Sequence, residues 1–504
     1  MSVQFILGIV IARLITPAEY GILGILMVFI SISDVFIDSG FGNAIIYFNN
    51  LDKKDLSTAF TFNVAVGVCI YFLLFLSAPF IESFFALKNL ALYLRVCALT
   101  LILNSIIVVP TAIIKVNLNF KSIALANITA TPVSGIIGIV IAYMGGGVWA
   151  LIAQLLSRSL IQVVILTVLC HWLPSIYISK QSFNKLYRYG INLFCAGCFT
   201  RIIDESTQFF IGKALSPFNL GIYTRGNQFA SLPGTALGSV INSVIFPSLS
   251  SLKNEANKFN NVYHKAIVTQ AVVTIPLFLF LAMCSEPLVR ILITEKWMAV
   301  VPIMQLLCIG RVLAPVANIT EQMLNANGRS DLALRQQIVK MIIKFLFVIS
   351  ALRFGIIAVA LADMLYTWLQ FFITNHFARG INEYGALQQL KDVSPFFISA
   401  ISAAVAGYMF MSLFHNDYMR LFFPLAASVL LYCLLVNNGI QLFNSASFIY
   451  TLTIILLHSS AFVLEPDISY YTQYSHSLRN IQTHLLEETC FYLPESKYRC
   501  NFLR

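Results

Sequence analysis

The sequence predicts an all-α polytopic membrane protein, and three observations carry that expectation. Of its 504 residues 58% are apolar, only 11% are charged, and the apolar residues gather in long runs. A soluble domain carries about 25% charged residues, so a chain this apolar needs lipid as part of its solvent. In lipid every backbone polar group has to be paired internally. Spanning helices do this with about 20 apolar residues. A barrel would show stretches of about 10 alternating residues, and the sequence has none.

Fourteen apolar segments follow one another. The first, 3–15, is short and ends near Arg13, with no basic run ahead of it, so no cleavable signal peptide is expected. The second, 20–38, opens after Thr16-Pro17, a hydroxyl cap with proline in the first helical turn. Segments 59–78, 90–110 and 123–144 come next, and Gly145-Gly-Gly147 makes a tight turn into 148–170. Segments 189–212 and 220–246 flank a second hydroxyl-proline turn, Ser216-Pro217. The series closes with 263–284, 298–324, 333–353, 355–378, 395–414 and 419–436. Pro233, Pro247, Pro276 and Pro302 are expected kink points. A further apolar stretch, 446–464, reads as another span or a buried amphipathic segment, and 465–504 is a polar, aromatic-rich tail. No connection before the tail has room for a soluble catalytic domain.

The formal charge of +10 would suit a nucleic-acid binder, yet the bases are thinly spread between apolar runs. No nucleic acid is expected. With a cytoplasmic N-terminus, the inside loops hold fourteen of these bases and the outside loops and their margins eight, the bias of the positive-inside rule. Ten cysteines show no spacing repeat, and the Cys195-x-x-Cys198 pair lies inside an apolar segment, where helix packing outweighs thiol chemistry.

The chain repeats itself. Arg13-Leu-Ile-Thr-Pro-Ala-Glu-Tyr-Gly21-Ile22 aligns with Lys213-Ala-Leu-Ser-Pro-Phe-Asn-Leu-Gly221-Ile222. Pro17/Pro217, Gly21/Gly221 and Ile22/Ile222 are identical, and the basic and hydroxyl positions are conservative. Each copy falls between the first two helices of a half. The expected division is an N-terminal lobe 1–186, a second lobe 187–390, additional C-terminal helices 391–464 and the tail 465–504.

On these residues the sequence resembles the polysaccharide and O-antigen flippases of the multidrug/oligosaccharidyl-lipid/polysaccharide exporter superfamily. Phe36-Ile-Asp-Ser-Gly-Phe-Gly-Asn-Ala44, Ile211 through Arg225, Ser231-Leu-Pro233 and Val244-Ile-Phe-Pro-Ser-Leu-Ser250 fit the same pattern, and the similarity runs from about residue 3 to about 440. The resemblance implies two six-helix lobes around a central cavity, often with two extra C-terminal helices, working by alternating access. It also implies an undecaprenyl-diphosphate-linked glycan as substrate, the bacterial inner membrane as location, and polysaccharide polymerase machinery as a partner. The first helix looks clipped against the family pattern, and the tail is unlike its usual short ending.

Charges inside apolar segments are costly, from about 2.5 kcal/mol upward, and therefore informative. Arg201, Asp204, Glu205 and Gln208 share one helix face by their spacing. One reading makes Arg201 and Arg225, with Lys213 near the outer mouth, a cationic path for the diphosphate, because arginine forks onto phosphate oxygens. The other has Arg201 paired with Asp204 or Glu205 as a bundle fastener, and Arg225 snorkelling at a helix end. Lys340 and Lys344, one turn apart, are candidates to line the second lobe's cavity. Asp34 and Asp38 share a face and are candidate ligands for a coupling Na⁺ or proton. For Asp38 the turn reading, Asp before Ser-Gly, is favoured. Arg158, Arg311, Glu321 and Asp363 also stand in or beside apolar runs.

No phosphate-cradling glycine motif, His-Glu-x-x-His or Ser-His-Asp order is present, and no cofactor, metal or enzymatic activity is expected. The leading expectation is a flippase for lipid-linked oligosaccharide. A cation-coupled drug exporter of the same fold, a membrane glycan polymerase or ligase, and a purely structural membrane partner are the alternatives. The exporter would want a predominantly acidic lobe, the polymerase a large outside loop, and the structural partner leaves the repeat unexplained.

Overall fold

A computed structural model describes residues 2–440, apart from 39, 49–50, 173, 253–254, 328–329, 380 and 382–383. The stretch 446–464 and the tail 465–504 lie outside the described residues. The first half holds α1 (Ser2–Leu14), α2 (Pro17–Asp38), α3 (Phe41–Phe48), α4 (Lys53–Phe85), α5 (Leu90–Cys97), α6 (Leu99–Val116), α7 (Phe120–Tyr143) and α8 (Val148–Cys170). The second holds α9 (Lys180–Ala214), α10 (Pro217–Ser251), α11 (Ala256–Met283), α12 (Ser285–Ile293), α13 (Val300–Gly310), α14 (Ala314–Ala326), α15 (Ser330–Ala351) and α16 (Ile356–Ala378). Helices α17 (Ala386–Met411) and α18 (Asp417–Ile440) follow.

The protein is an all-helical, multi-pass membrane protein. Nine described helices or helix pairs are long and apolar enough to cross a membrane, ten if α13 and α14 count as one bent span. That is fewer than the fourteen segments read from the sequence. The other four fall on α1, which has only 13 residues, on α10, and on α9 and α15, the helices that carry charges within their length.

Local chemistry sets the boundaries. Thr16 and Glu19 bond reciprocally at the start of α2: the Glu19 carboxylate accepts from the Thr16 N–H and hydroxyl at 2.8 Å each, and Thr16 Oγ1 accepts from the Glu19 N–H at 3.3 Å. This is a capping box. In the second copy Ser216 Oγ accepts from the Asn219 N–H, with Pro217 opening α10. Pro302 sits in the first turn of α13, where its missing N–H is harmless. The 42° bend of that segment comes later, between α13 and α14.

Helices of each half pack chiefly on their own neighbours, α4, α6, α7 and α8 in the first and α10, α11, α13–α16 in the second. The halves meet where α2 lies against α9 and α10. Helix α9 serves both. Its first turns pack Phe183 and Leu186 among Phe41, Ala44 and Val109 of the first half, and Lys185 reaches Asp55 at 3.2 Å. Further along, Phe210 meets Phe345 of α15. A division at residue 187 therefore falls inside one continuous helix.

Candidate functional site

The two copies of the repeat meet each other. A Cβ placed on Gly21 would lie 1.8 Å from the Pro217 carbonyl oxygen, and one on Gly221 would lie 1.8 Å from the Pro17 carbonyl oxygen. Only glycine permits two helices to cross this closely. The crossing is flanked by a reciprocal exchange between the halves. The Arg13 guanidinium donates to the Ile291 and Leu292 carbonyls at 2.6 and 2.8 Å, at the C-terminus of α12. Lys296 donates to the Arg13 carbonyl at 2.6 Å and the fully buried Trp297 indole to the Ala12 carbonyl at 2.9 Å. In the other copy Lys213 donates to the Phe84 carbonyl, near the C-terminus of α4, and sits over the Phe84 ring. Basic side chains suit helix C-termini because the last carbonyls are unpaired and the dipole is negative there.

Arg225 belongs to this seam, where it packs against α1 and α2. It is 3% exposed. It donates to the Gly8 carbonyl at 2.9 Å and to Gln228 at 2.7 Å, and its guanidinium stacks 4.0 Å from the Tyr20 ring centre.

The α9 cluster forms deeper along the α2–α9 contact. Glu205 accepts from Ser31 Oγ of α2 at 2.8 Å and from Gln208 at 2.9 Å, and lies 3.7 Å from Arg201. The Ser31 bond joins the two halves. Gln208 in turn accepts from Thr224 of α10 at 3.2 Å. Asp204 is exposed, within electrostatic range of Arg201, Lys344 and Arg311. Both lysines of α15 are ion-paired: Lys340, 1% exposed at its side chain, with Glu321 at 3.3 Å, and Lys344 with Asp363 at 3.8 Å. Tyr223 of α10 adds a hydrogen bond to Asp363 at 3.0 Å. Arg311, at the bend between α13 and α14, donates to the Asn227 carbonyl at 3.0 Å and to its side chain.

Asp34 and Asp38 go separate ways. Asp34 accepts from Asn104 Nδ2 at 3.1 Å, and Asn104 accepts from Ser159 of α8 at 3.0 Å. Asp38 accepts from the Gly42 N–H, capping α3 just past the break. Gly40 there has φ +73°, and an added Cβ would lie 2.4 Å from the Gly190 carbonyl of α9. Among the described residues no group of three His, Cys, Asp or Glu side chains could hold a metal ion. A cavity of about 270 Å³ opens between α2, α3, α6 and α8, lined by Asp38, Asn43, Asn104, Thr111, Lys115 and Gln162 among others.

The partners of these charges escape sequence reasoning. Ser31, Glu321, Asp363 and Asn227 are ordinary residues on remote helices, and no spacing rule links residue 321 to 340 across a helix turn. The seam was detectable, because the repeat marks Arg13, Lys213, Gly21 and Gly221.

Residues 10–302 match the profile of a family described as "Polysaccharide biosynthesis protein". The chain is 24% identical over 411 residues to the "Teichuronic acid biosynthesis protein TuaB" of Bacillus subtilis, covering 80% of this chain and 85% of that protein. It is 24% identical to the "Lipopolysaccharide biosynthesis protein WzxC" of Escherichia coli, over 67% of this chain and 69% of the relative. Among solved structures it superposes on "Lipid II flippase MurJ, inward closed conformation" with a TM-score of 0.72 at 15% identity, covering 87% of this chain and 97% of that one. A second fold neighbour, an inward-facing "multidrug resistance MATE family transporter of the MOP superfamily", gives 0.57 at 16% identity, over 77% of this chain and 97% of the other.

Proposed function

The chain belongs to the polysaccharide biosynthesis protein family, and from that premise we propose that it flips undecaprenyl-diphosphate-linked oligosaccharide across a bacterial inner membrane by alternating access. The observation that carries this reading is the seam. Two repeated halves close against each other at one end through Gly21 and Gly221, while a charged, hydrogen-bonded contact runs between α2 and α9 within the membrane. With a cytoplasmic N-terminus the closed end faces outward and the opposite end is where substrate enters.

In this cycle the headgroup and glycan occupy the polar space between lobes and the lipid tail stays in the bilayer. Arg201, 43% exposed at its side chain, is the base of the α9 cluster with room to meet the diphosphate, alongside Asp204, Glu205 and Gln208. Outward opening breaks the Ser31–Glu205 bond, the Gly21–Gly221 crossing and the Arg13, Lys213 and Arg225 contacts. The Lys340 and Lys344 pairs hold the second lobe as a rigid body, and Asp34 remains a candidate for proton or Na⁺ coupling. The two lobes divide at the start of α9, near residue 180. Family and function mark a transporter, not a polymerase or ligase, and a polymerase is its natural partner downstream.

The test is complementation. Expressed in a bacterium lacking its own O-antigen flippase but making a matched repeat unit, the chain should restore surface glycan, and Arg201→Ala should reduce it at normal protein level. Restored drug efflux with no glycan would instead favour a cation-coupled exporter of the same fold.

A further inference from the structure

Among the described residues five bases that the second half carries within its helices and at the α13–α14 bend already have partners. Arg201, Lys340 and Lys344 each face a carboxylate at 3.3–3.8 Å, and Arg225 and Arg311 donate into carbonyl and amide oxygens. Held this way, Lys340, Lys344, Arg225 and Arg311 have little left to offer an incoming anion, whereas Arg201 keeps a side chain 43% exposed. Two bases of the first half differ.

Arg158 is the eleventh of the 23 residues of α8, the middle of a candidate span. It is half-buried, and no hydrogen bond, ion pair or charged neighbour reaches it among the described residues. An uncompensated charge at that depth persists where it faces water or a ligand of opposite sign. Its position on the helix agrees. Arg158 stands one turn from Gln162 on the same face. The exposed apolar stripe of α8, Leu160, Val164 and Val168, lies on a different one.

Gln162 lines the 270 Å³ cavity of the first half. So does Lys115, an exposed residue in the last turn of α6 with no carboxylate oxygen within 4.0 Å among the described residues. The same cavity presents the amides of Asn43 and Asn104 and the hydroxyl of Thr111, whose buried oxygen has no hydrogen-bond partner. Asp38 also lines it and interacts electrostatically with Lys115, but its carboxylate takes the Gly42 N–H at the start of α3. The Asn104 and Gln162 amides already donate to Asp34 and Asn127. The groups left for a ligand are the Lys115 ammonium at the rim, the Asn43 amide, the Thr111 hydroxyl and, one helix turn beyond the lining Gln162, the Arg158 guanidinium. Together they suit a small, multiply charged oxyanion.

We propose that the diphosphate of the lipid-linked substrate docks first in this first-half cavity, on Lys115 and Arg158, before it meets Arg201 between the halves. The proposal rests on the flippase reading and names the part of the molecule that captures the headgroup. Lys115 recruits the diphosphate at the cytoplasmic side, and Arg158 draws it to the depth from which rocking of the halves carries it across.

The experiment titrates the full chain, in nanodiscs of zwitterionic lipid, with undecaprenyl diphosphate. Lys115→Gln and Arg158→Gln should each weaken binding about ten- to a hundredfold, the range for a lost hydrogen bond to a charged group. Arg158→Lys should recover part of the loss, and Lys258→Gln, a solvated ion pair elsewhere, should bind as wild type. Because Arg158 has no partner to lose, Arg158→Gln should melt no lower than wild type without ligand. A lower melting temperature would reveal a structural residue and overturn the assignment. Binding unchanged in both glutamine variants, or lost in Arg201→Gln alone, also overturns it while leaving the flippase reading intact. Wild type that does not bind undecaprenyl diphosphate removes both.

Discussion

Replacing Gly21 by alanine should force open the seam where α2 crosses α10. The added Cβ would sit 1.8 Å from the Pro217 carbonyl oxygen, and 3.0 Å is the nearest approach that real Cβ atoms make, so the crossing has to widen by at least 1.2 Å, from 1.8 to 3.0. Neither atom can swing aside, since one is backbone and the other is fixed to it. Overpacking of this kind costs about 1–3 kcal/mol. The whole cost falls on the closed state, because the open state has no such contact. The closed-to-open ratio should then drop about 5- to 150-fold. Spin labels at Lys88→Cys of the first half and Phe354→Cys of the second, in a background stripped of reactive cysteines, would report it by double electron–electron resonance. Gly21→Ala should add a longer distance and slow transport, and Gly221→Ala should do the same. Gly8→Ala, whose Cβ would come no closer than 3.9 Å to Arg225, should change neither. Wild-type distances with wild-type transport in Gly21→Ala would refute the reasoning that this crossing closes the molecule.

Other perturbations follow from the same contacts. Arg13→Gln and Lys213→Gln each remove a cationic cap from a helix C-terminus across the seam, about 0.3–1 kcal/mol apiece from the dipole, so the long-distance population should rise modestly with either and further with both. Lys340→Met takes the ion partner from Glu321, which is 25% exposed and still bonded to Gln337, and should destabilise the fold by about 1–3 kcal/mol; the double variant Lys340→Met/Glu321→Gln should regain much of it in a thermal melt. Trp297→Phe leaves the Ala12 carbonyl without its buried donor, which costs about 1–3 kcal/mol and should appear as faster proteolysis near the seam.

The membrane fold was legible because apolar runs of spanning length leave few alternatives, and the seam because both the Ser/Thr-Pro turn and the glycine one turn later recur two hundred residues on. Asp38 was legible as a cap because Asp-x-Gly is local chemistry. What stayed hidden depends on long-range partners. The spacing of Arg201, Asp204, Glu205 and Gln208 gave one face, but only the fold supplies Ser31 from α2 and makes Glu205 a bridge between halves. Arg225 reads as a cavity base from its place after the Ser-Pro turn, yet α1 and Tyr20 enclose it. Lys340 and Lys344 show a pair of buried bases one turn apart, and nothing local names Glu321 or Asp363 as their partners. Helices α9 and α15 fall short as apolar spans because charges stand within their length, and the partners of Glu205, Lys340 and Lys344 lie on other helices that a linear reading does not see.

Movement of a diphosphate-linked glycan across a membrane can be followed in a reconstituted system. Purified protein in liposomes loaded with a fluorescent undecaprenyl-diphosphate oligosaccharide should expose the glycan to a glycosidase on the far side, faster than protein-free liposomes. Gly21→Ala should slow the reaction. Glycan that stays inaccessible, while the protein is folded and binds undecaprenyl diphosphate, would show that the chain is not a flippase for this substrate.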